Sequence, residues 1–372
     1  MSYFRTISGT IEPGMDLHNQ QNDGSERVTQ IFTFQGKNRT DVDSVQAGDI
    51  GVLVKLKNTH TGNTLCSKDM SVTIIPAKFP EPVMDVAIVA KSKGDEDKVA
   101  TGFARLAAED PTLKLVAFPE LGQQILYAQG STQIEVMLEK LKERFGVEVE
   151  LQRPRIPYRE TIRGNASNHY RHKKQSGGRG QFGDVHIRLE ANTRGAGFEF
   201  INEIKGGSIP SKFIPAVEKG VIEQMQKGGL AGSQVVDVKV TLYDGQYHDV
   251  DSSDMAFKIA GSMAFKGGFM DSKPVLLEPI YDLEVMVPDE FTGDVMGDLS
   301  SRRAKIAGMD PDGKNQKIRA SVPQAELYQY SVDLRSMTQG QGVYSLEFSH
   351  YEEVPRDAAQ KVIDSAKSDS EH

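Results

Sequence analysis

Residues 235–242, Val-Val-Asp-Val-Lys-Val-Thr-Leu, contain the cleanest alternation of apolar and polar residues in this chain of 372. Side chains two positions apart lie on the same face of a strand, so the pattern predicts a strand with one buried face. That face carries Val236, Val238, Val240 and Leu242. Two apolar stripes at helical spacing accompany it, namely Phe213, Val217 and Val221, and Met255, Ile259 and Met263. Residues 158–277 are therefore predicted to form an α+β middle domain.

The order β-α-β-β-α-β, which is typical of ferredoxin-like domains, is predicted on both sides of the middle domain. In residues 78–157, the second helix is expected to open at Thr132, where Glu135 completes a capping box. Its apolar face is Ile134, Met137, Leu138, Leu141 and Phe145. In residues 278–356, the predicted elements are strand 283–287, helix 291–305, strand 317–322, helix 325–337 and strand 343–348.

Residues 1–77 alternate short apolar stretches with turn residues, the pattern of an antiparallel β-barrel. The pattern starts abruptly, with Tyr3 already in strand-like sequence, so a partial β-barrel is expected. Residues 357–372 are predicted to be a C-terminal helix or a disordered tail. The predicted fold class is thus α+β multidomain, with a partial β-barrel and two ferredoxin-like βαββαβ domains that flank the middle domain.

Composition limits the possible classes of function. The formal net charge of −8 argues against a protein that coats nucleic acid along its whole surface, because neutralising phosphate requires Lys and Arg. Any RNA contact is expected to be local. The single cysteine, Cys66, has no partner for an internal disulfide. Neither a signal peptide nor an apolar run of about 20 residues is present, so a cytoplasmic chain with no membrane partner is predicted.

Gly178, Gly180 and Gly183 match the pattern G-x-G-x-x-G. A dinucleotide site requires a hydrophobic strand before this motif and a helix after it, whereas here polar residues precede it and an alternating strand follows. Dinucleotide binding is therefore not expected. The basic residues around these glycines are Arg171, Lys173, Lys174 and Arg179. They suit a contact with phosphate, and a merely solvated turn is the alternative.

The sequence offers no catalytic or metal site. His169 and His172 are three residues apart, which would suit a metal ion on a helix, but no cysteine or carboxylate nearby in the sequence completes a set. His248 is predicted to lie at a loop tip, before a helix that begins near Ser252 or Ser253. The sequence has no G-x-S-x-G motif, supported Cys-His pairing or G-x-x-x-x-G-K-[ST] phosphate loop. This chain is therefore predicted not to be an enzyme and not to bind GTP by itself.

Several long motifs, in one order, resemble elongation factor G over nearly the whole chain. They occupy residues 177–183, 242–245, 247–253, 255–258, 297–299, 302–303, 333–336 and 338–340. The resemblance implies the end of domain II and then domains III, IV and V of a five-domain translational GTPase, with a ribosomal-protein-S5-domain-2-like fold for domain IV. The GTP-binding domain, with its GTP and Mg, is expected upstream of Met1, and no cofactor is expected in this chain.

In that family, domain IV projects like a finger into the decoding region of the small ribosomal subunit, where its tip loops contact tRNA and mRNA. The resemblance places the tip at Lys174, Gly177, Gly178, Arg179, Gly180, Gln181, Tyr247, His248 and Asp249. Arg302 and Arg303 are expected to contact the ribosome from domain V. The expected partners are ribosomal RNA, tRNA, mRNA and the GTP-binding domain of the same protein, and the chain is expected to be a monomer.

One stretch departs from the family pattern. Family members usually carry Gly-Glu-Leu-His-Leu-Glu before the second helix of domain III, whereas residues 130–135 are Gly-Ser-Thr-Gln-Ile-Glu. This difference indicates a divergent paralogue in which coupling to GTP hydrolysis differs. The predicted function is promotion of GTP-dependent movement of tRNA and mRNA through the ribosome. The alternatives are a ribosome-recycling or ribosome-protection paralogue, an enzyme that binds a nucleotide at the glycine loop, and a protein-interaction module.

Overall fold

The computed structural model describes residues 1–175 and 180–370, without the side chains of residues 369 and 370. The predicted tip residues Gly177, Gly178 and Arg179 lie outside the described residues. The chain folds as two compact units, Met1–Pro154 and Arg155–His372. Among the described residues, no helix is long and apolar enough to cross a membrane.

The first part of the chain, residues 1–66, consists of short antiparallel strands. They are β1 (Ser2–Arg5), β2 (Thr10–Ile11), β3 (Asp16–Asn19), β4 (Gly24–Arg27), β5 (Ile31–Gln35), β6 (Asn38–Val42), β7 (Val45–Gln46), β8 (Ile50–Leu53) and β9 (Leu65–Cys66). Three small sheets result, with the orders β1-β8-β5-β6, β4-β3-β9 and β2-β7. These residues are all described, and their strands do not close into a barrel, which agrees with the predicted partial barrel.

The first ferredoxin-like domain has the predicted order of elements. They are β10 (Met84–Ala90), α1 (Glu96–Glu109), β11 (Lys114–Phe118), β12 (Gln123–Ala128), α2 (Ser131–Phe145) and β13 (Val149–Gln152). The predicted capping box is wrong, because α2 begins one residue earlier and its N-cap is Gly130, which has no side chain. Gln133 supplies the missing bond instead, since its Oε1 accepts from the backbone N–H of Gln129 at 2.7 Å.

The middle domain is a four-stranded sheet covered on one face by two helices. Its elements are β14 (Arg159–Ile162), β15 (Ala166–Lys174), β16 (Gln181–Ala191), β17 (Glu199–Asn202), α3 (Ile214–Lys227), β18 (Val238–Gln246) and α4 (Asp254–Asp271). The sheet order is β15-β16-β18-β17, and β14 pairs elsewhere. β18 begins at Val238 rather than at Val236, because Asp237 has a left-handed backbone with φ of +56°.

The apolar face predicted for α4 is wrong. Met255 and Met263 are 57% and 38% exposed, whereas the opposite face of the helix is buried. The buried residues are Ala256, Phe257, Ala260, Gly261, Ala264, Phe265, Gly268 and Phe269. Small residues let this helix approach its neighbours closely, and the three rings fill the remaining volume. Two apolar stripes compete on such a helix, and the spacing of the larger side chains does not decide between them.

The second ferredoxin-like domain contains a strand that the sequence analysis missed. Its elements are β19 (Pro274–Pro288), α5 (Thr292–Ser301), β20 (Lys305–Asp312), β21 (Asn315–Pro323), α6 (Tyr330–Met337) and β22 (Val343–Glu353), followed by α7 (Arg356–Ser370). The helix predicted for residues 291–305 ends at Ser301, because Arg303 has a left-handed backbone with φ of +57°. Lys305 therefore begins β20 instead of ending a helix.

A single long strand, β19, belongs to both the middle domain and the second ferredoxin-like domain. Its first residues pair with β14, and the remainder pairs with β21 and β22. The junction is reinforced by Arg163, which binds the carboxylate of Glu353 through two nitrogens. Arg194 lies 3.6 Å from the same carboxylate. The two domains are thus parts of one compact unit.

Helices α3 and α4 cross at two glycines. A Cβ atom placed on Gly220 would lie only 2.0 Å from the carbonyl oxygen of Lys258, and one placed on Gly261 would lie 2.7 Å from the carbonyl oxygen of Val217. Backbone atoms cannot yield as the end of a flexible side chain can. The crossing therefore requires the absence of a side chain at both positions.

We expect Gly220→Ala to lower the free energy of unfolding by about 2 kcal/mol, because overpacking at the crossing outweighs the gain of about 1 kcal/mol from better helix propensity. The matched control is Gly297→Ala in α5, where an added Cβ meets nothing within 4 Å. Chemical denaturation of the chain should show the control to be neutral or stabilising. Equal stability of the two variants would contradict this account of the crossing.

The junction should respond to pH. The hydrogen bond from Arg163 lowers the pKa of Glu353 below its usual value, against a smaller opposing effect of burial. A lowered folded-state pKa stabilises the fold above the unfolded-state pKa of about 4.3, and this contribution disappears as the pH falls through the folded-state pKa. Glu353→Gln should therefore lower Tm at pH 7, and the difference from wild type should shrink below about pH 4.

Exposed Glu347→Gln on the same strand is the control for this experiment, and it should leave Tm nearly unchanged at both pH values. A Tm difference for Glu353→Gln that stays constant down to about pH 3, well below the unfolded-state pKa, would argue against the ion pair as its cause.

Candidate nucleic-acid interface

Two chain segments that the sequence analysis assigned to the tip lie side by side in the middle domain. The first is the end of the β15–β16 hairpin, where Lys174 pairs with Gln181 in register. The second is the loop between β18 and α4. The backbone N–H of Phe182 donates to the carbonyl of Asp251 at 2.9 Å, and the hydroxyl of Ser252 donates to the carbonyl of Phe182 at 2.9 Å. The structure thus brings Lys174, Gly180, Gln181 and His248 to the same end of the domain.

Gly180 is required by this close approach. A Cβ atom at this position would lie 2.8 Å from the carboxyl carbon of Asp251. The carboxylate therefore occupies the space that a larger residue would need. The glycine pattern serves contact between two loops, and strand β16 follows it, as expected for a site that is not a dinucleotide fold.

His248 is half exposed, and its ring is oriented by its own loop. Nδ1 accepts from the backbone N–H groups of Val250 and Asp251, at 3.3 Å and 3.2 Å. Because Nδ1 is an acceptor, a neutral ring carries its proton on Nε2. The loop thereby holds a ring whose Nε2 is a hydrogen-bond donor. Neighbouring Tyr247 is 44% exposed and Asp249 is also exposed, so both reach the surface of the same loop.

The basic side chains of β15 lie close to this end. Arg171 donates to the buried carboxylate of Asp184, so its charge is partly balanced. Lys173 and Lys174 are exposed. The cluster is thus a local positive feature on an acidic chain, in keeping with the expectation that any RNA contact is local.

The expectation of a helix at His169 and His172 is wrong, because both residues lie on β15, on opposite faces of the strand. His172 Nε2 lies 2.9 Å from Gln181 Oε1. His169 instead lies beside Asp184 and His186, which the sequence analysis did not connect with it. Cross-strand neighbours are set by the hairpin register, which spacing along one strand does not reveal.

Arg302 and Arg303 lie in the second ferredoxin-like domain, and both are engaged by carboxylates. Arg302 bonds with Asp298 and Asp333, and these bonds outweigh burial and raise its pKa. The pKa of Arg303 is raised first by its bond with Glu278 and then by that with Glu326. Contact with the ribosome at these two residues stays a prediction.

The sequence analysis did not identify Ser252 and Phe182 as the residues that join the two loops. Ser252 is 9% exposed, and its Oγ also accepts from the backbone N–H of His248 at 2.9 Å. Ser253, its neighbour, caps α4 by accepting from the N–H of Ala256. A Ser-Ser pair before a helix is a recognisable signal for the cap, but the role of the first serine depends on a distant strand.

Family models match four consecutive segments of the chain. They are elongation factor Tu domain 2 at residues 1–66, elongation factor G domain III at 79–153, elongation factor G domain IV at 154–273 and the elongation factor G C-terminus at 275–362. A crystal structure of ttk003000868 from Thermus thermophilus is 40% identical with a TM-score of 0.84. The match covers 98% of this chain and 55% of that one, so this chain spans about half the length of that protein.

Four domains in this order define a translation factor. More specifically, the chain belongs to the elongation factor G family, of which it contains the end of domain II and domains III, IV and V. None of the four matched models is a GTP-binding domain. The middle domain is therefore domain IV, and the two ferredoxin-like domains are domains III and V.

We expect Ser252→Ala to loosen the tip without unfolding domain IV. It removes one donor to Phe182 and one acceptor from His248, each worth about 1 kcal/mol. Local opening should become roughly fivefold more frequent per bond, which amide hydrogen exchange of His248 measures directly. Ser262→Ala, in the middle of α4, is the control and should leave that exchange rate unchanged. Identical rates in both variants would show that Ser252 does not join the loops.

Proposed function

We propose that this chain is the ribosome-binding part of an elongation factor G-like translocase, which promotes GTP-dependent movement of tRNA and mRNA. In this proposal the end of domain IV that carries His248 and Lys174 enters the decoding region. The observation that supports it is the convergence of two separate loops, one with basic residues and one with an oriented histidine, at a single end of the domain. No reactive group is required, because the work is mechanical.

The shape of domain IV suits this role. β16 has 11 residues, which span about 36 Å at roughly 3.3 Å per residue. It runs antiparallel to both β15 and β18, and α4 begins beside the tip and ends beside β19. A hydrogen-bonded sheet backed by a long helix transmits force without bending much. Displacement of domain V through β19 would therefore be carried to the tip.

The tip chemistry suits RNA. Exposed Lys173 and Lys174 provide charge for phosphate, whereas the Nε2 donor of His248 and the phenol of Tyr247 suit bases and ribose hydroxyls. The acidic net charge restricts this attraction to the tip region, which favours docking in one orientation. The GTP that would drive movement, with Mg, is assigned in this proposal to a separate domain of the factor.

Salt dependence of ribosome binding tests the phosphate contact. Lys174→Ala should weaken cosedimentation of the chain with ribosomes and reduce the slope of log affinity against log salt by about one. Lys227→Ala is the matched control, since this exposed lysine ends α3 beside the loop that binds Glu160, far from the tip. It should leave the slope unchanged. Equal slopes for wild type and Lys174→Ala would remove the phosphate contact from the proposal.

His248→Ala tests the role of the tip in movement. In the factor that carries its GTP-binding domain, we expect mRNA movement to slow roughly tenfold, the effect of losing one good hydrogen bond in the decoding region. Ribosome-stimulated GTP hydrolysis should be unchanged. Equal loss of both activities would contradict the assignment, and slow subunit splitting with normal mRNA movement would favour a recycling paralogue instead.

A further inference from the structure

A group of polar side chains on the outer face of the domain IV sheet has no role in the tip contacts described above. His169 on β15 lies directly opposite His186 on β16, and Arg171 lies directly opposite Asp184. The other face of these strands carries Val185, Ile187 and Leu189, which are fully buried in the core. The four polar side chains therefore share the face away from the helices, in the middle of the hairpin that carries the tip.

The two imidazoles converge on one carboxylate oxygen. Asp184 Oδ1 lies 2.7 Å from His169 Nε2 and 3.5 Å from His186 Nε2. The side chain of Asp184 is 0% exposed, whereas those of His169 and His186 are 45% and 29% exposed. The two rings are stacked, with centroids 4.1 Å apart and planes at 22°. The three ligand atoms all lie within 4.8 Å of one another, and the histidines open toward solvent.

Hydrogen bonding alone uses only part of this arrangement. Oδ1 is within hydrogen-bond distance of one ring nitrogen, and the other Nε2, at 3.5 Å, is too far for a good bond. Two stacked rings that were both protonated would repel each other. A cation bound to both nitrogens and to the oxygen would satisfy all three atoms together, because neutral imidazole and carboxylate are ligands of divalent transition metals.

The surroundings hold the carboxylate in place for such a role. Arg171 donates from Nε to the other oxygen, Oδ2, so Oδ1 remains directed at the histidines. The ring of His186 also packs edge-on against Tyr243, with centroids 6.0 Å apart. Partners of this kind orient metal ligands in proteins generally. The positive charge of Arg171 lowers the affinity for a cation, so moderate rather than very tight binding is expected.

We propose that domain IV binds one divalent transition-metal ion, with zinc as the representative ion, through His169 Nε2, Asp184 Oδ1 and His186 Nε2, and that water completes the coordination. Because two ligands lie on β16 and one on β15, the ion joins the two strands. It would therefore stiffen the hairpin whose far end forms part of the tip. Among the side chains that the structure describes, no second group of three such ligands is present, so one equivalent is expected.

Zinc titration of the chain, prepared without a polyhistidine tag, tests the proposal against a chromophoric chelator. Wild type should bind one equivalent, and saturating zinc should raise Tm by about 5 °C, since a ligand that binds only the folded state stabilises it. His186→Gln should weaken binding at least tenfold and abolish the Tm shift. Binding should also weaken below about pH 6, as protons compete for the imidazoles.

His350→Gln is the matched control. His350 Nε2 lies 3.1 Å from a carboxylate oxygen of Glu352, but this pair contains only one histidine. The control should bind zinc as wild type does. Asp184→Asn alone would be ambiguous, because this buried residue also supports the fold, whereas His186 is partly exposed. Zinc binding equal in wild type and His186→Gln would overturn the proposal and leave the cluster as a His-Asp-Arg ion-pair network.

Discussion

Continuity of strand β19 is the constraint on which the arrangement of domains IV and V depends. Its 15 residues extend over about 50 Å, and they hydrogen-bond to β14 at one end and to β21 and β22 over the rest. A strand that is shared by two domains cannot bend at the boundary without breaking ladder hydrogen bonds. The domains therefore move together, and the carboxylates of Glu278 and Glu353 fix arginines on either side of the shared strand.

A second anchor lies at the base of domain IV, beside the start of β19. The buried carboxylate of Glu160 on β14 accepts four backbone N–H groups, those of Gly229, Leu230, Ala231 and Ser233. This loop follows α3, so one side chain ties the end of a helix to a strand paired with β19. A buried charge is tolerated here because each oxygen accepts two hydrogen bonds. The base is thereby fixed while the opposite end presents exposed polar loops.

The distribution of polar groups within domain IV has a simple order. Its inner sheet face is apolar and packs on α3 and α4 through glycine and alanine, which allow a close approach of backbones. Its outer face carries histidines, arginines and an aspartate, and the far end carries the two loops. A thin, stiff domain with chemistry on one face and one end suits a part that enters a confined RNA site rather than a part that encloses a substrate.

The sequence by itself determined the α+β class, both ferredoxin-like domains, the cap at Ser253 and the family, because these depend on local pattern and on long motifs. It did not determine which face of α4 is buried, since Met255 and Met263 form as regular a stripe as the small residues opposite them. The left-handed backbone at Arg303, which ends α5 and allows β20, also carries no reliable local signal. Only the tertiary structure brought Ser252 to Phe182 and His169 to Asp184 and His186. Those contacts depend on hairpin register and on strands that are distant in sequence, and local propensity contains no information about either.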